Sequence, residues 1–427
     1  YLQNWLRYIA IDLLSLYFIQ GSAVVASVLC SMPTAYSNEF IRKLSTYYNP
    51  GCTGTSCGLF KVVYVRADGS NDSLHHLWDF THKPSVFMAA TSLNSNLNIS
   101  WSKCNEGSHG CITFTQPPTY SFGIVLDKLW EYNDVNDTGL LNRHNKSKNY
   151  VHALHLENFN WTLSNISCTS NCGELVDLKA TAVKYISRDG VGVLAGKITF
   201  MLNAFGFQDH SMELPRLLHS ANSTQVDLVI ETLKTNSSFT NSRYAIDVIL
   251  ASNDNASSTV VLESKKSLDD ENSPGVFTVV DLYTPSISSG RGGYLQWRPV
   301  AYIAKERDIS NSTDTNVYGV LDVKNHTSQL NNSILYSYYS YHLDDVLVQS
   351  TIVSFGLKED GFYKKTNYTS WTFMMGYGKP PEEGFSLLVI LVISIGLGLP
   401  TILIIASVIF VLIRRISQKK DDLFLNR

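Results

Sequence analysis

The chain has 427 residues and a net charge of −3, with charged residues at only 17% and aromatics at 11%. That balance excludes the basic surface a nucleic-acid binder needs. The low charge content points instead to a β-rich protein with hydrophobic ends, long enough for two or three domains.

The first apolar stretch runs from Tyr8 to Cys30, with Arg7 ahead of it and Asp12 and Gln20 inside. Ala35-Tyr36-Ser37 follows with the small-x-small spacing of a signal-peptidase site. Residues 1–37 therefore read as a signal peptide, with a signal anchor as the alternative.

Strand signals dominate from there. "LFKVVYVRADG" (59–69), "CITFTQ" (111–116), "VDLKATAVKYIS" (176–187) and "GKITFMLNAFGF" (196–207) alternate or run apolar for strand lengths. So do "QVDLVIETLKT" (225–235), "SRYAIDVIL" (242–250), "NVYGVLDVKN" (316–325) and "STIVSFGLK" (350–358). Turn pairs such as Asp68-Gly69 and Asp360-Gly361 punctuate them. The fold expected outside the membrane is all-β: two antiparallel β-sandwich domains, residues 38–210 and 211–384. Their boundary is expected in "QDHSMELPRLLHS" (208–220), where "PRLLHSA" reads as a short helical turn. "MMGYGKPPEEG" (374–384) is expected to form a short, stiff spacer through Pro380-Pro381.

Residues 385–413, "FSLLVILVISIGLGLPTILIIASVIFVLI", hold 29 residues without a charge, enough to span a bilayer. Arg414, Arg415, Lys419 and Lys420 follow at once, which places the tail, residues 414–427, in the cytosol. The topology is single-pass type I, with the N-terminal region lumenal.

The composition of that region fits an oxidising compartment. Asn-x-Ser/Thr acceptors occur at Asn71, Asn98, Asn136, Asn145, Asn160, Asn165, Asn222, Asn236, Asn255, Asn311, Asn325, Asn331 and Asn367. These are 13 of 31 asparagines, about twice the number that the 78 serines and threonines produce by chance. A heavily N-glycosylated surface follows, and such a coat blocks proteases sterically. Cys30 falls in the signal segment, leaving Cys52, Cys57, Cys104, Cys111, Cys168 and Cys172. Six cysteines allow 15 disulfide connectivities, of which nearest-neighbour pairing is the simplest.

Catalytic and metal signals are weak. The phosphate-binding loop, the H-E-x-x-H helix and the EF-hand loop are absent from the sequence. "LHHLWDFTH" (74–82) gathers His75, His76 and His82, but a strand points His75 and His76 to opposite faces. His152 and His155 are split in the same way. In an acidic lumen most of the 11 histidines are expected to be charged. Asp269, Asp270 and Glu271 cannot all face one ion from an extended strand, so they read as a solvated turn. No catalytic residue, metal or cofactor is assigned.

"SLDDENSPGVF" (267–277) followed by "YLQWRPVAY" (294–302) resembles the signature of the glycosylated lysosomal membrane protein family. "SLHHLWDF" with "SVFMAATS" (73–92), "LNISWS" (97–102), "PRLLHSA" and "YTSWTFMMGYGKPPEEGFSLLV" (368–389) match in the same order. The resemblance implies a non-enzymatic lysosomal membrane glycoprotein. Its expected role is accessory subunit of a lysosomal major-facilitator transporter that exports dipeptides, protecting it from proteolysis and supporting its localisation. Contacts are expected through the Gly396/Gly398/Pro400 face of the membrane helix and through lumenal residues near the bilayer. A cell-surface adhesion or receptor glycoprotein is the alternative in the same class, and a lumenal hydrolase the alternative outside it. One feature departs from the family: the tail has no tyrosine-based sorting signal, and Asn426 interrupts the dileucine-like Asp421 to Leu425 string.

Overall fold

The computed structural model describes residues 42–106, 110–166, 172–187, 190–255, 258–267, 272–284, 292–383 and 387–425. The expected signal segment with Cys30, Cys168, and the acids Asp269, Asp270 and Glu271 lie outside them. Each of the eight stretches with strand patterning contains a strand, from Val62–Asp68 to Val346–Phe355. Leu175–Ser187 shows why. Val176, Leu178, Ala180 and Ala182 are buried, while Asp177, Lys179 and Thr181 between them are half-exposed, as a period of two requires.

The strands form two antiparallel layers. One runs Lys43–Tyr48, Val62–Asp68, Asp72–Asp79, Ser85–Ser92, Tyr120–Asn133, Ser242–Asn255, Val346–Phe355 and Ser312–Asp322. The other runs Phe159–Ser164, Leu175–Ser187, Gly190–Phe205, Ser223–Glu231, Tyr368–Tyr377, Gly293–Trp297, Thr278–Tyr283 and Val261–Lys266. Val300–Tyr302 pairs with both Ser312–Asp322 and Tyr368–Tyr377, linking the two layers. Both layers mix strands from the two sides of position 210, and contacts group residues 38–383 as one compact unit.

The main core draws side chains from both layers, including the fully buried Trp78, Trp161, Trp297 and Trp371. Each such burial contributes on the order of 3 kcal/mol. At Gly293 an added Cβ would fall 2.3 Å from the Phe122 ring of the facing layer, so only glycine fits there. A second core covers the outside of the first layer. Leu330, Ile334 and Leu335 of the short helices His326–Leu330 and Ile334–Tyr339 pack with Phe87, Val125 and Ile249. Asn325 and Ser333 cap these helices, accepting from the amides of Ser328 (2.9 Å) and Tyr336 (3.3 Å).

The stretch "PRLLHSA" is not helical. It ends in the two-residue strand Leu218–His219, paired with Asp209–His210. Leu217 and Leu218 are both buried, and Leu217 packs on Phe205 and Met374. Anchoring by those two leucines overrides the weak local helix preference.

The last element is a separate unit, the helix Leu387–Leu425. Its Ile390–Ile416 portion is apolar and unburied, long enough to cross a bilayer. Pro400 lies inside it, and Thr401 Oγ1 donates to the Gly398 carbonyl at 2.8 Å, occupying one carbonyl in the turn the proline interrupts.

Candidate functional site

Twelve of the 13 acceptor asparagines have described side chains, and none of the twelve is buried. Asn71, Asn98, Asn136, Asn160, Asn165, Asn325 and Asn367 are exposed; Asn145, Asn222, Asn236, Asn311 and Asn331 are half-exposed. The side chain of Asn255 lies outside the described residues. Where acceptors make local bonds, most run to Oδ1. Arg42 Nε donates to Asn222 Oδ1 at 2.7 Å and Lys61 Nζ to Asn160 Oδ1 at 2.9 Å. Such bonds leave Nδ2, the atom that carries a glycan, pointing elsewhere. In Asn311 Nδ2 itself donates, weakly, to the Glu306 carbonyl at 3.4 Å.

Two of the expected disulfides are present, Cys52–Cys57 and Cys104–Cys111. The third involves Cys168 and so lies outside the described residues. Residues 54–58, Gly-Thr-Ser-Cys-Gly, match the G-x-S-x-G spacing of a hydrolase elbow. The string overlaps the one-turn 3-10 helix Thr55–Leu59, closed by the Cys52–Cys57 bridge. An elbow needs a strand-to-helix turn, which this is not.

The histidine stretch is taken apart as its strand geometry predicts. His75 bonds Tyr64 Oη (2.7 Å) and Thr91 Oγ1 (2.8 Å) on one face; His76 turns to the other layer and Thr224 Oγ1 (2.9 Å). His82 is exposed, as is His152, while His155 is half-exposed. Among the described residues no group of three potential ligands gathers.

The expectation that most histidines charge in acid needs correction for three of them. Burial pushes His75 down to about 4, His76 to about 3 and His219 to about 4. These rings stay neutral when folded but take up protons near 6.5 when unfolded. Stability is therefore lost as pH falls from 6.5 towards 4, by about 2 kcal/mol per histidine between pH 7 and 5. Asp247 works in the opposite sense, since burial raises it to about 6 and the fold gains as it protonates. Net acid destabilisation is expected in pH-dependent unfolding. Replacing His75 by glutamine should remove about one proton from the slope of stability against pH between 4 and 6.5, whatever it does to absolute stability. An unchanged slope would show that His75 does not titrate on unfolding.

Sequence reasoning missed the buried arginines. Arg243, 1% exposed, meets Asp134 through Nε (2.9 Å), Asp137 through Nη2 (2.8 Å) and Asp360 through Nη1 (2.7 Å). Burial acts to raise Asp360, but Arg243 and the amides of Phe362 and Leu357 outweigh it and hold the carboxyl below its usual range. The adjoining cavity, between Arg243, Thr313, Asp360 and Phe362, has about 20 Å³ of room, enough for one water and too little for an organic substrate. Arg307 joins Asp227 (2.9 Å), Thr372 (3.0 Å) and the Leu214 carbonyl (2.6 Å). Arg298, 0% exposed, donates to the Val276 carbonyl and pairs with Glu383. Gln296 Nε2 donates to the Pro381 carbonyl at 3.2 Å. The expected spacer is shorter than 374–384, because residues 374–377 belong to the buried strand Tyr368–Tyr377; the remainder is fastened to the sandwich through Glu383. The only sequence signal for Arg243 was its place in the strand stretch "SRYAIDVIL", and for Arg298 its place in the signature "YLQWRPVAY"; Arg307 lies in neither.

A β-sandwich with surface acceptor asparagines and bridged cysteines, followed by one apolar helix and a basic flank, defines a single-pass membrane glycoprotein. The family model for glycosylated lysosomal membrane protein matches residues 61–418. The chain belongs to this family. It is 31% identical over 389 residues to the glycosylated lysosomal membrane protein of Danio rerio, covering 88% of this chain and 90% of the relative. The Xenopus laevis protein A is 28% identical over 381 residues (87% and 90%), and the Homo sapiens protein 25% over 405 residues (89% and 90%). The family is one of lysosomal membrane proteins, in keeping with the single C-terminal helix.

Proposed function

We propose that this protein is a non-catalytic accessory subunit that protects a multi-spanning lysosomal transporter of the major-facilitator class, a dipeptide exporter, from proteolysis. The observation that carries the reading is the placement of the acceptor asparagines: every described one reaches the surface, across both layers. Occupied, they form a coat that proteases cannot penetrate. A transporter buried mostly in lipid has little lumenal surface for such a coat of its own. The membrane helix supports the pairing, since small residues such as Gly396 and Gly398 allow a neighbouring helix to approach its backbone closely. The same partnership supports the transporter's lysosomal localisation.

Removing the protein from cells should shorten the transporter's lysosomal half-life, and lysosomal protease inhibitors should restore it. Re-expression with the acceptors changed from asparagine to glutamine should restore assembly but not protection. A transporter with unchanged half-life in the absence of this protein would sink the proposal.

A further inference from the structure

We propose that three loops of the sandwich form an apolar foot that rests on the lumenal lipid surface of the membrane crossed by the helix. The foot exposes Met212 (95%), Phe277 (44%) and Ile309 (54%). Single exposed apolar residues are ordinary, but these three sit on loops fastened to one another. Ser273 Oγ donates to the Pro215 carbonyl, joining the loop of Phe277 to that of Met212. Arg307 Nη1 donates to the Leu214 carbonyl, joining the loop of Ile309 to it. A Cβ added at Gly275 would lie 4.0 Å from Ile309 Cγ2, so the third side of the triangle also closes. Both pinning side chains, Ser273 and Arg307, are buried or nearly so, which fixes the loops that present the exposed residues.

The occupant follows from where the chain leaves the sandwich. Ser267 donates from its amide to the Phe277 carbonyl (3.0 Å) and from its hydroxyl to Glu383 Oε2 (3.2 Å). The spacer is therefore anchored beside the foot. Phe385, first residue of the uncharged run, is two residues beyond Glu383. The segment that leaves the sandwich beside the foot is therefore the one that leads directly into the apolar run. Among the described residues the foot's exposed charges are mixed: Lys265, Lys266, Lys305 and Arg216 against Glu213, Glu306 and Asp308. That mixture suits a zwitterionic surface, with apolar side chains entering the boundary between headgroup and acyl chain. The acceptor Asn311 stands two residues past Ile309 and is half-exposed.

The test uses the full chain in phosphatidylcholine nanodiscs containing lipids with a spin label near the headgroup. A fluorophore is attached in turn to Met212→Cys, Phe277→Cys and Ile309→Cys, with Tyr341→Cys, exposed beyond the helical cap, as the control and the unsubstituted chain as background. Quenching at the three foot positions should exceed that at the control by about twofold or more and persist in high salt. Quenching no greater than the control overturns the proposal. So does quenching that salt abolishes, which would indicate charge attraction. Shielding of the three positions only when another membrane protein is co-reconstituted also overturns it, and would assign the patch to a protein partner.

Discussion

Replacing Arg243 by methionine should destabilise the lumenal unit by about 3–5 kcal/mol, the usual cost of removing one partner from a buried ion network. The mutation leaves Asp134, Asp137 and Asp360 facing one another with no cation among them. The loss extends to backbone strain. Asp137 (φ 50°), Glu359 (φ 66°) and Phe362 (φ 64°) hold left-handed conformations in the two loops that Arg243 joins. Each such residue costs about 1–2 kcal/mol, which is sustained only while the surroundings fix it. Arg243 also lies 4.5 Å over the Phe362 ring, a contact methionine replaces without its charge. Arg243→Lys should recover only part of the stability, because a single ammonium cannot meet three carboxylates and the Leu357 carbonyl (2.6 Å) from one position. Urea unfolding followed by tryptophan fluorescence measures both. The comparison is Lys358→Ala, which breaks an exposed pair with Glu359 and should shift the midpoint by less than about 0.5 kcal/mol equivalent. Equal effects at positions 243 and 358 would show that the Arg243 network contributes no more than a surface pair.

What the sequence disclosed, and what it hid, divides along the range of the interactions. Period-two alternation is local, so strands such as Leu175–Ser187 were legible from their own residues. The bridges Cys52–Cys57 and Cys104–Cys111 span five and seven residues, and nearest-neighbour pairing found them. Acceptor sequons and the apolar C-terminal run are likewise written in contiguous residues. Arg243, by contrast, finds its partners 109, 106 and 117 residues away, and no local pattern announces which charges meet. "PRLLHSA" was misread for the same reason, since the buried contacts that keep it from being a helix come from Phe205 and Met374. His75 and His76 were correctly sent to opposite faces. Their low pKa values come from burial in layers that their own strand does not specify.

The spacer supplies the second large effect. Glu383→Leu should cost about 3 kcal/mol or more, because Arg298 is fully buried and would lose its carboxylate. Lys379→Ala, which breaks an exposed pair with Glu382 only four residues upstream, should cost little. The double variant Arg298→Met/Glu383→Leu separates charge from packing. Removing both charges at once restores an apolar interior, so it should be more stable than either single variant, and a double-mutant cycle should give a coupling of a few kcal/mol. Additive losses would show that the two side chains stabilise the fold independently, and the fastening inferred from their contact would fail. The consequence reaches beyond stability. The stretches that carried the family resemblance, "SPGVF", "YLQWRPVAY" and "KPPEEG", meet at this pair: Arg298 donates to the Val276 carbonyl, and Gln296 and Arg298 hold Pro381 and Glu383. Far apart in sequence, these stretches form one junction, where the sandwich holds the spacer through Gln296 and Arg298.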